Sequence, residues 1–258
     1  CNMGVAGAAV ATGIGYFIAA VFGLYYFARH REAPLHFVKP RASMQTLMRA
    51  MTNGSSEMVS NLSTSVTTFL FNIIMMRLIG PDGVAAISIL LYLDFVLIAI
   101  NLGYSIGVAP LFSYNYGSGD CRKLKKLFRI SLYFCTSVGV VMTAGTVLFA
   151  DWLASVFSPA GSAVHALAAT GLRIFAVSYL FKGFSIYTSA LFTAFGNGTL
   201  SAILSFMRTL ILLVSAILLF SSLFGITGVW SATPAAETIA FLLAAFLAWK
   251  YGKVYRYL

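Results

Sequence analysis

The sequence predicts an all-α integral membrane fold, with seven transmembrane helices visible in 258 residues. Three observations predict it. Hydrophobic residues make up 60% of the chain and charged residues only 9%, against roughly 25% charged in a soluble domain. The apolar residues gather into seven runs, each near the roughly 20 residues that a spanning helix needs. The charges fall almost entirely between those runs. A strand barrel would show alternating segments of about ten residues instead. An ordinary soluble enzyme, a disordered segment and a small disulfide scaffold are all excluded.

The runs cover residues 3–27, 54–79, 84–111, 130–152, 166–194, 200–223 and 228–249. The longest connection follows the first run. It is basic, carries Pro34 and Pro40, and ends in residues 42–51, which have the pattern of an amphipathic helix on the inner leaflet. Gly80-Pro81-Asp82-Gly83 and Gly196-Asn197-Gly198 are turn sequences between consecutive spans. Arg29, Arg31, Lys39, Arg41 and Arg49 follow the first run. Arg122, Lys123, Lys125, Lys126 and Arg129 follow the third, and Lys250, Lys253 and Arg256 lie in the tail. These three regions share one side of a seven-span chain and hold 13 of the 17 basic residues. The net charge of +10 is therefore a topology signal and not a nucleic-acid surface. The positive-inside rule puts the C-terminus in the cytoplasm. The loops leave no room for a soluble catalytic domain. No phosphate-binding Gly-rich loop or zincin pair is present, and Cys1, Cys121 and Cys135 lack metal-ligand spacing. The expectation is no enzyme, no metal and no cofactor.

A repeat organises the spans. Gly4-Val5-Ala6-Gly7-Ala8-Ala9-Val10-Ala11-Thr12 and Gly225-Ile226-Thr227-Gly228-Val229-Trp230-Ser231-Ala232-Thr233 both read G-[VI]-x-G-x-x-x-A-T, 221 residues apart. Chance is the bland alternative, because small residues are common where membrane helices pack. Taken as real, the repeat is parallel, about an axis along the membrane normal, with a unit of six spans. No initiator Met or leader precedes Cys1. The expectation is thus a fragment of a twelve-helix, two-lobe (six plus six, pseudo-twofold) protein. Residues 1–28 would be the last helix of an N-terminal lobe, 29–50 a cytoplasmic linker, and 51–258 the C-terminal six-helix lobe. Lacking most of its N-terminal lobe, such a fragment is not expected to transport alone.

Ionisable residues inside spans are costly and usually face a cavity or a partner. At about 100° per residue from Glu57, the residues Asn61, Thr64, Thr68 and Asn72 fall at about 40°, −20°, 20° and 60°. One face of the second span is polar and carries a carboxylate, which suits a cavity wall. A hydroxyl bonded to the carbonyl one turn back is the plainer alternative. Asp94 shares a face with Asn101 and Ser105. Lys182 shares one with Ser178, Ser185, Ser189 and Thr193, while Arg173 lies on the opposite side. Arg208 lines up with Ser201 and Ser215. Lys182 and Arg208 either act in the cavity or form structural pairs with Asp94 or Glu57. Glu237 follows Pro234 and either lines a cavity or caps a helix broken at that proline, the second being preferred. Withdrawal from water favours a carboxylate's neutral form, so Glu57 and Asp94 are the candidate coupling residues. Asn61, Thr64, Thr68, Asn101, Lys182 and Ser189 are the candidate substrate-cavity residues. Met75, Met76, Phe184 and Tyr187 read better as packing.

The run Gly107-Val108-Ala109-Pro110-Leu111-Phe112-Ser113-Tyr114-Asn115-Tyr116-Gly117-Ser118-Gly119 resembles the end of the eighth helix in the multidrug and toxic compound extrusion (MATE) family. Asn2-Met3-Gly4-Val5-Ala6-Gly7-Ala8-Ala9 is similar to its sixth helix, and Ala194-Phe195-Gly196-Asn197-Gly198 to the close of its tenth. The resemblance implies a two-lobe exporter of the bacterial plasma membrane that rocks around a central cavity, exchanging H⁺ or Na⁺ for organic compounds. Its partners would be the lipid bilayer, a small organic substrate and the missing N-terminal lobe of the same chain, with no nucleic acid and an oligomeric state left open. Glu57 matches an acidic seventh-helix residue that couples cations in one branch. That branch's tenth-helix acid has no counterpart near residues 183–185, beside Lys182. A second branch couples protons through the N-terminal lobe.

Two rivals remain at this level. A lipid-linked saccharide flippase of the related superfamily would have a basic cavity, for which Arg173, Lys182 and Arg208 are candidates. A seven-helix receptor or retinal pump fits the span count, but the last span lacks a Schiff-base Lys before Lys250.

Overall fold

The structure is a computed structural model and describes residues 4–29, 43–255 and 257. Arg31, Lys39, Arg41 and Arg256 lie outside the described residues. The chain divides into two compact units, Cys1–Leu47 and Met48–Leu258. Among the described residues there are helices and no strands.

The first unit holds α1 (Gly4–Arg29). At its end Arg29 Nη1 donates to Tyr25 Oη at 2.8 Å, one turn back. The unit boundary falls in the first turn of α2 (Met44–Leu78), which is continuous. Residues 44–51 are therefore the start of a spanning helix, and not the separate surface helix that their pattern suggests. Asn53-Gly54 is a turn dipeptide by propensity, but α2 runs on through it.

The second unit continues with α3 (Pro81–Gly117), α4 (Cys121–Leu148), α5 (Ala150–Phe157), α6 (Ala163–Phe175), α7 (Tyr179–Ala194), α8 (Gly198–Phe206) and α9 (Leu213–Gly252). A 3₁₀ turn, Ala176–Ser178, joins α6 to α7 as one 32-residue span, and a π turn, Met207–Leu212, joins α8 to α9. Six continuous helical stretches among the described residues are long and apolar enough to cross a membrane. The last, Gly198–Gly252, doubles back on itself. Arg208 Nη1 lies 3.3 Å from Glu237 Oε1, whereas 29 residues of straight helix would separate them by about 43 Å. The reversal is at Gly225, with φ 56° and ψ −128°, a conformation that a side chain would disfavour. Among the described residues this makes seven apolar passes.

Local sequence explains the ends. Three helices begin on a residue whose side chain accepts a free amide hydrogen of the first turn. Lys123 N–H donates to Asp120 at 3.0 Å, His165 N–H to Ser162 at 3.1 Å and Leu200 N–H to Asn197 at 3.1 Å. The Lys123 amide, and then its ammonium, hold the partly exposed Asp120 carboxyl below its ordinary 3.8.

α7 is the central helix and packs against α3, α4, α8 and α9. Small residues allow the close approaches. A methyl group on Gly139 of α4 would sit 2.8 Å from the Tyr179 carbonyl, and one on Gly183 of α7 would sit 2.6 Å from Asn101 Oδ1. Two apolar cores form. One gathers Leu90, Leu97, Leu172, Phe175, Tyr179 and Trp230. The other gathers Phe112, Phe128, Tyr187, Phe192 and Phe195 with Tyr255 and Tyr257. Met75 and Tyr187 belong to these cores, as packing residues should. The tail is tied down where Tyr257 Oη donates to the Ala248 carbonyl at 2.7 Å and Asn197 Nδ2 donates to Tyr255 Oη at 3.0 Å.

Candidate functional site: a charge cluster in the cavity wall

Along α7 one core ends at Tyr179 and the other starts at Tyr187; along α9 they meet between Ala236 and Ala244. Lys182 and Glu237 lie in those intervals. On α3, Asp94 sits between Leu90 and Leu97, on the face turned to α7. Lys182 Nζ donates to both Asp94 oxygens, at 2.8 and 2.9 Å. The same nitrogen lies 3.8 Å from Glu237 Oε1. Arg208 Nη1 reaches that oxygen from the other side, at 3.3 Å. Lys182, Asp94 and Glu237 are 4%, 7% and 3% exposed. Two acids and two bases thus alternate across four elements, deep enough for each charge to depend on its neighbours. The Phe175 ring, 5.6 Å from Lys182 Nζ, closes the apolar side.

This cluster forms part of the wall of a cavity of about 170 Å³. Glu57, Asn61, Thr64 and Thr68 of α2 line it as well, and so does Ser189 of α7. Glu57, Asn61 and Thr64 are exposed. The polar stripe of α2 thus faces the cavity, and the bond to the preceding turn is present too. Asn61 Nδ2 donates to the Glu57 carbonyl at 2.9 Å and Thr64 Oγ1 to the Ser60 carbonyl at 2.9 Å. Those bonds use one N–H of Asn61 and the Thr64 O–H, and leave oxygen lone pairs for the cavity. Ser189 Oγ shares hydrogen bonds with Ser201 and Ser205 of α8, at 2.9 and 2.8 Å.

The structure takes other residues elsewhere. Asn101 is absent from the cavity lining. Its face of α3 is turned to α7, where Gly183 lets the amide pack against backbone, and Nδ2 donates to the Leu97 carbonyl at 3.0 Å. Arg173 is half-exposed and pairs with Asp151 at 2.7 Å, away from the cavity lining. Glu237 does not cap a broken helix. α9 runs on through Pro234, and the break comes at Gly225. The partner of Arg208 is Glu237, neither Asp94 nor Glu57. Ser215 is exposed and out of line with Arg208, because the wider π turn between them resets the helical register. Among the described residues no group of three or more His, Cys, Asp or Glu could hold a metal ion.

A buried charge cluster among long apolar helices, and likeness to solved transporters, define a membrane transporter fold. A crystal structure of MATE in complex with MaL6 superposes with a TM-score of 0.89 at 23% identity, over 100% of this chain and 58% of that one. The chain belongs to the MatE family, whose model matches residues 58–218. Multidrug export protein MepA of Staphylococcus haemolyticus is 26% identical over 253 residues, which is 96% of this chain and 54% of its own. Multidrug export protein MepA of Staphylococcus saprophyticus is 24% identical over 256 residues, with the same coverage. The chain spans about half the length of these curated relatives.

Proposed function

We propose that the chain is the C-terminal lobe, with the preceding helix, of a secondary antiporter. It exports amphipathic or cationic compounds in exchange for H⁺ or Na⁺ by alternating access. The supporting observation is a charge balance. The cavity lining carries three carboxylates, Glu57, Asp94 and Glu237, and two cations, Lys182 and Arg208. Both cations are engaged by Asp94 and Glu237. Glu57 has no ion-pair partner among the described residues. The lining is thus formally one negative charge in excess, and that charge is on the exposed wall. Such a wall favours an organic cation or a coupling cation over an anion. It disfavours a saccharide-phosphate flippase, whose cavity would need unpaired bases.

In this reading Glu57 and Asp94 are coupling residues. Asn61, Thr64, Thr68, Lys182 and Ser189 shape the substrate cavity. Relatives named for multidrug export in staphylococci support a bacterial plasma membrane location. The basic loops support a cytoplasmic C-terminus. Efflux by the full-length protein in proteoliposomes tests the proposal. Ethidium is expected to be driven out by an imposed H⁺ or Na⁺ gradient, with transport lost in Glu57→Gln. Efflux indifferent to both gradients would sink the antiport reading. Transport of a lipid-linked saccharide without dye efflux would favour the flippase.

A further inference from the structure

The four clustered charges are not equally satisfied. Both oxygens of Asp94 accept from Lys182. Glu237 is held through Oε1 alone. Its Oε2 is buried without a hydrogen-bond partner, and so are Arg208 Nε and Thr233 Oγ1. Thr233 stands one turn before Glu237 on α9, on the same face, and all three residues line the cavity. Leaving a buried polar group unpaired is costly, and three such groups in one wall need an account.

The cost of adding one proton differs between the two carboxylates. On Asp94 it takes an oxygen away from Lys182. On Glu237 Oε2 it breaks no hydrogen bond. Oε1 still accepts from Arg208, and the new O–H turns away no existing donor. We propose that Glu237 is a proton-binding site, created by the Asp94–Lys182–Glu237–Arg208 cluster. The groups that face it are Lys182 of α7, Asp94 of α3 through Lys182, Arg208 of the π turn, and Glu57 of α2 in the same cavity lining. Tyr179 of α7, whose buried hydroxyl also lacks a partner, stands close enough to Asp94 to feel its charge.

Two consequences follow. Proton uptake removes the charge that anchors Arg208, and with it the π turn, to α9. It also takes the cavity lining from one net negative charge to neutral. A proton at Glu237 and an organic cation in the cavity then lower each other's affinity equally. This second consequence rests on the cation-binding reading above; the proton site itself does not.

Infrared difference spectra of the full-length protein in lipid vesicles read carboxyl protonation without any ligand. Acidification of the wild type is expected to produce a buried protonated-carboxyl band that Glu237→Gln lacks and Glu57→Gln keeps. Glu237→Asp, which leaves every charge in place, is expected to shift the band's frequency because the shorter side chain draws the carboxyl back from Arg208. A band that survives at full intensity in Glu237→Gln overturns the proposal. If that variant does not fold, a Glu237→Asp band at the wild-type position overturns it. A second measurement adds ethidium at the midpoint of acidification and records proton release in weak buffer. Wild type is expected to release protons, up to about one per ethidium bound, and Glu237→Gln none. No ethidium binding at all would defeat the proposed function and leave the infrared result standing.

Discussion

Removing Lys182 tests whether the cluster is a network or two separate pairs. At an effective dielectric of about 20, unit charges 2.8 Å apart attract by about 6 kcal/mol. The 3.8 Å contact of Lys182 with Glu237 is worth about 4 kcal/mol on the same scale. The 3.3 Å contact of Arg208 is worth about 5 kcal/mol. Desolvation offsets most of these values, and breaking a buried pair costs about 3–5 kcal/mol net. The ranking survives the offset. Lys182→Met strands Asp94, leaves Glu237 with Arg208 alone, and is expected at the upper end, about 5 kcal/mol. Asp94→Asn leaves Lys182 beside Glu237 and is expected at the lower end, about 3 kcal/mol. The double variant leaves no unpaired Asp94 charge and is expected to be more stable than Lys182→Met alone. A coupling of more than about 3 kcal/mol results, far from additivity. Equilibrium unfolding of the full-length protein in mixed micelles measures it, followed by fluorescence of the buried Trp230. Additivity within about 0.5 kcal/mol would refute the Lys182–Asp94 pair, and Asp94→Asn costing more than Lys182→Met would refute the network.

Gly183→Ala drives a methyl group to 2.6 Å from Asn101 Oδ1. It is expected to cost about 1–3 kcal/mol by overpacking, relieved by adding Asn101→Ala, as the same unfolding assay would show. Gly228→Ala places its methyl against the Phe220 carbonyl, where the chain turns back. Backbone cannot yield there, so folded protein recovered by size exclusion is expected to fall sharply; wild-type yield would contradict the turn geometry. Asp120 caps α4, and its carboxyl is held below its usual 3.8 by the Lys123 amide. A depressed folded value means that the cap contributes fully above pH 3.8 and is lost as the pH falls through the lower folded value. Asp120→Ala should therefore melt below wild type at pH 7 and converge with it in acid; a constant gap in melting temperature would argue against the charged cap.

How much was legible depends on the range of the interaction. The stripe of Glu57, Asn61, Thr64 and Thr68 was readable, because helical periodicity alone puts those residues on one face. Glu237 was misread for a local reason: Pro234 is a helix breaker by propensity, yet packing carried α9 through it and the reversal came at Gly225. Arg208 was placed by straight-helix geometry, which a π turn invalidates. No local pattern announces that turn. Asn101 shares a face with Asp94, but a face names a neighbouring helix and does not say whether a cavity or a glycine lies opposite. The orphaned Thr233 hydroxyl gave no signal in the sequence, because Thr is ordinary in a span.

The sequence by itself determined the solvent. With 9% of its residues charged, the chain must bury its backbone polar groups in helices and cannot do so as a soluble domain. It also determined the number of passes and which few ionisable residues would lie inside them, because hydropathy and periodicity act over one or two turns. Only the tertiary structure decided which of those residues meet. Lys182 selects Asp94 across 88 residues of chain, and Arg208 selects Glu237 across 29. Such choices depend on helix register, on a π turn and on the space left by glycines. A charge buried in a low dielectric is governed by its nearest partner, and that partner is a property of packing, not of spacing.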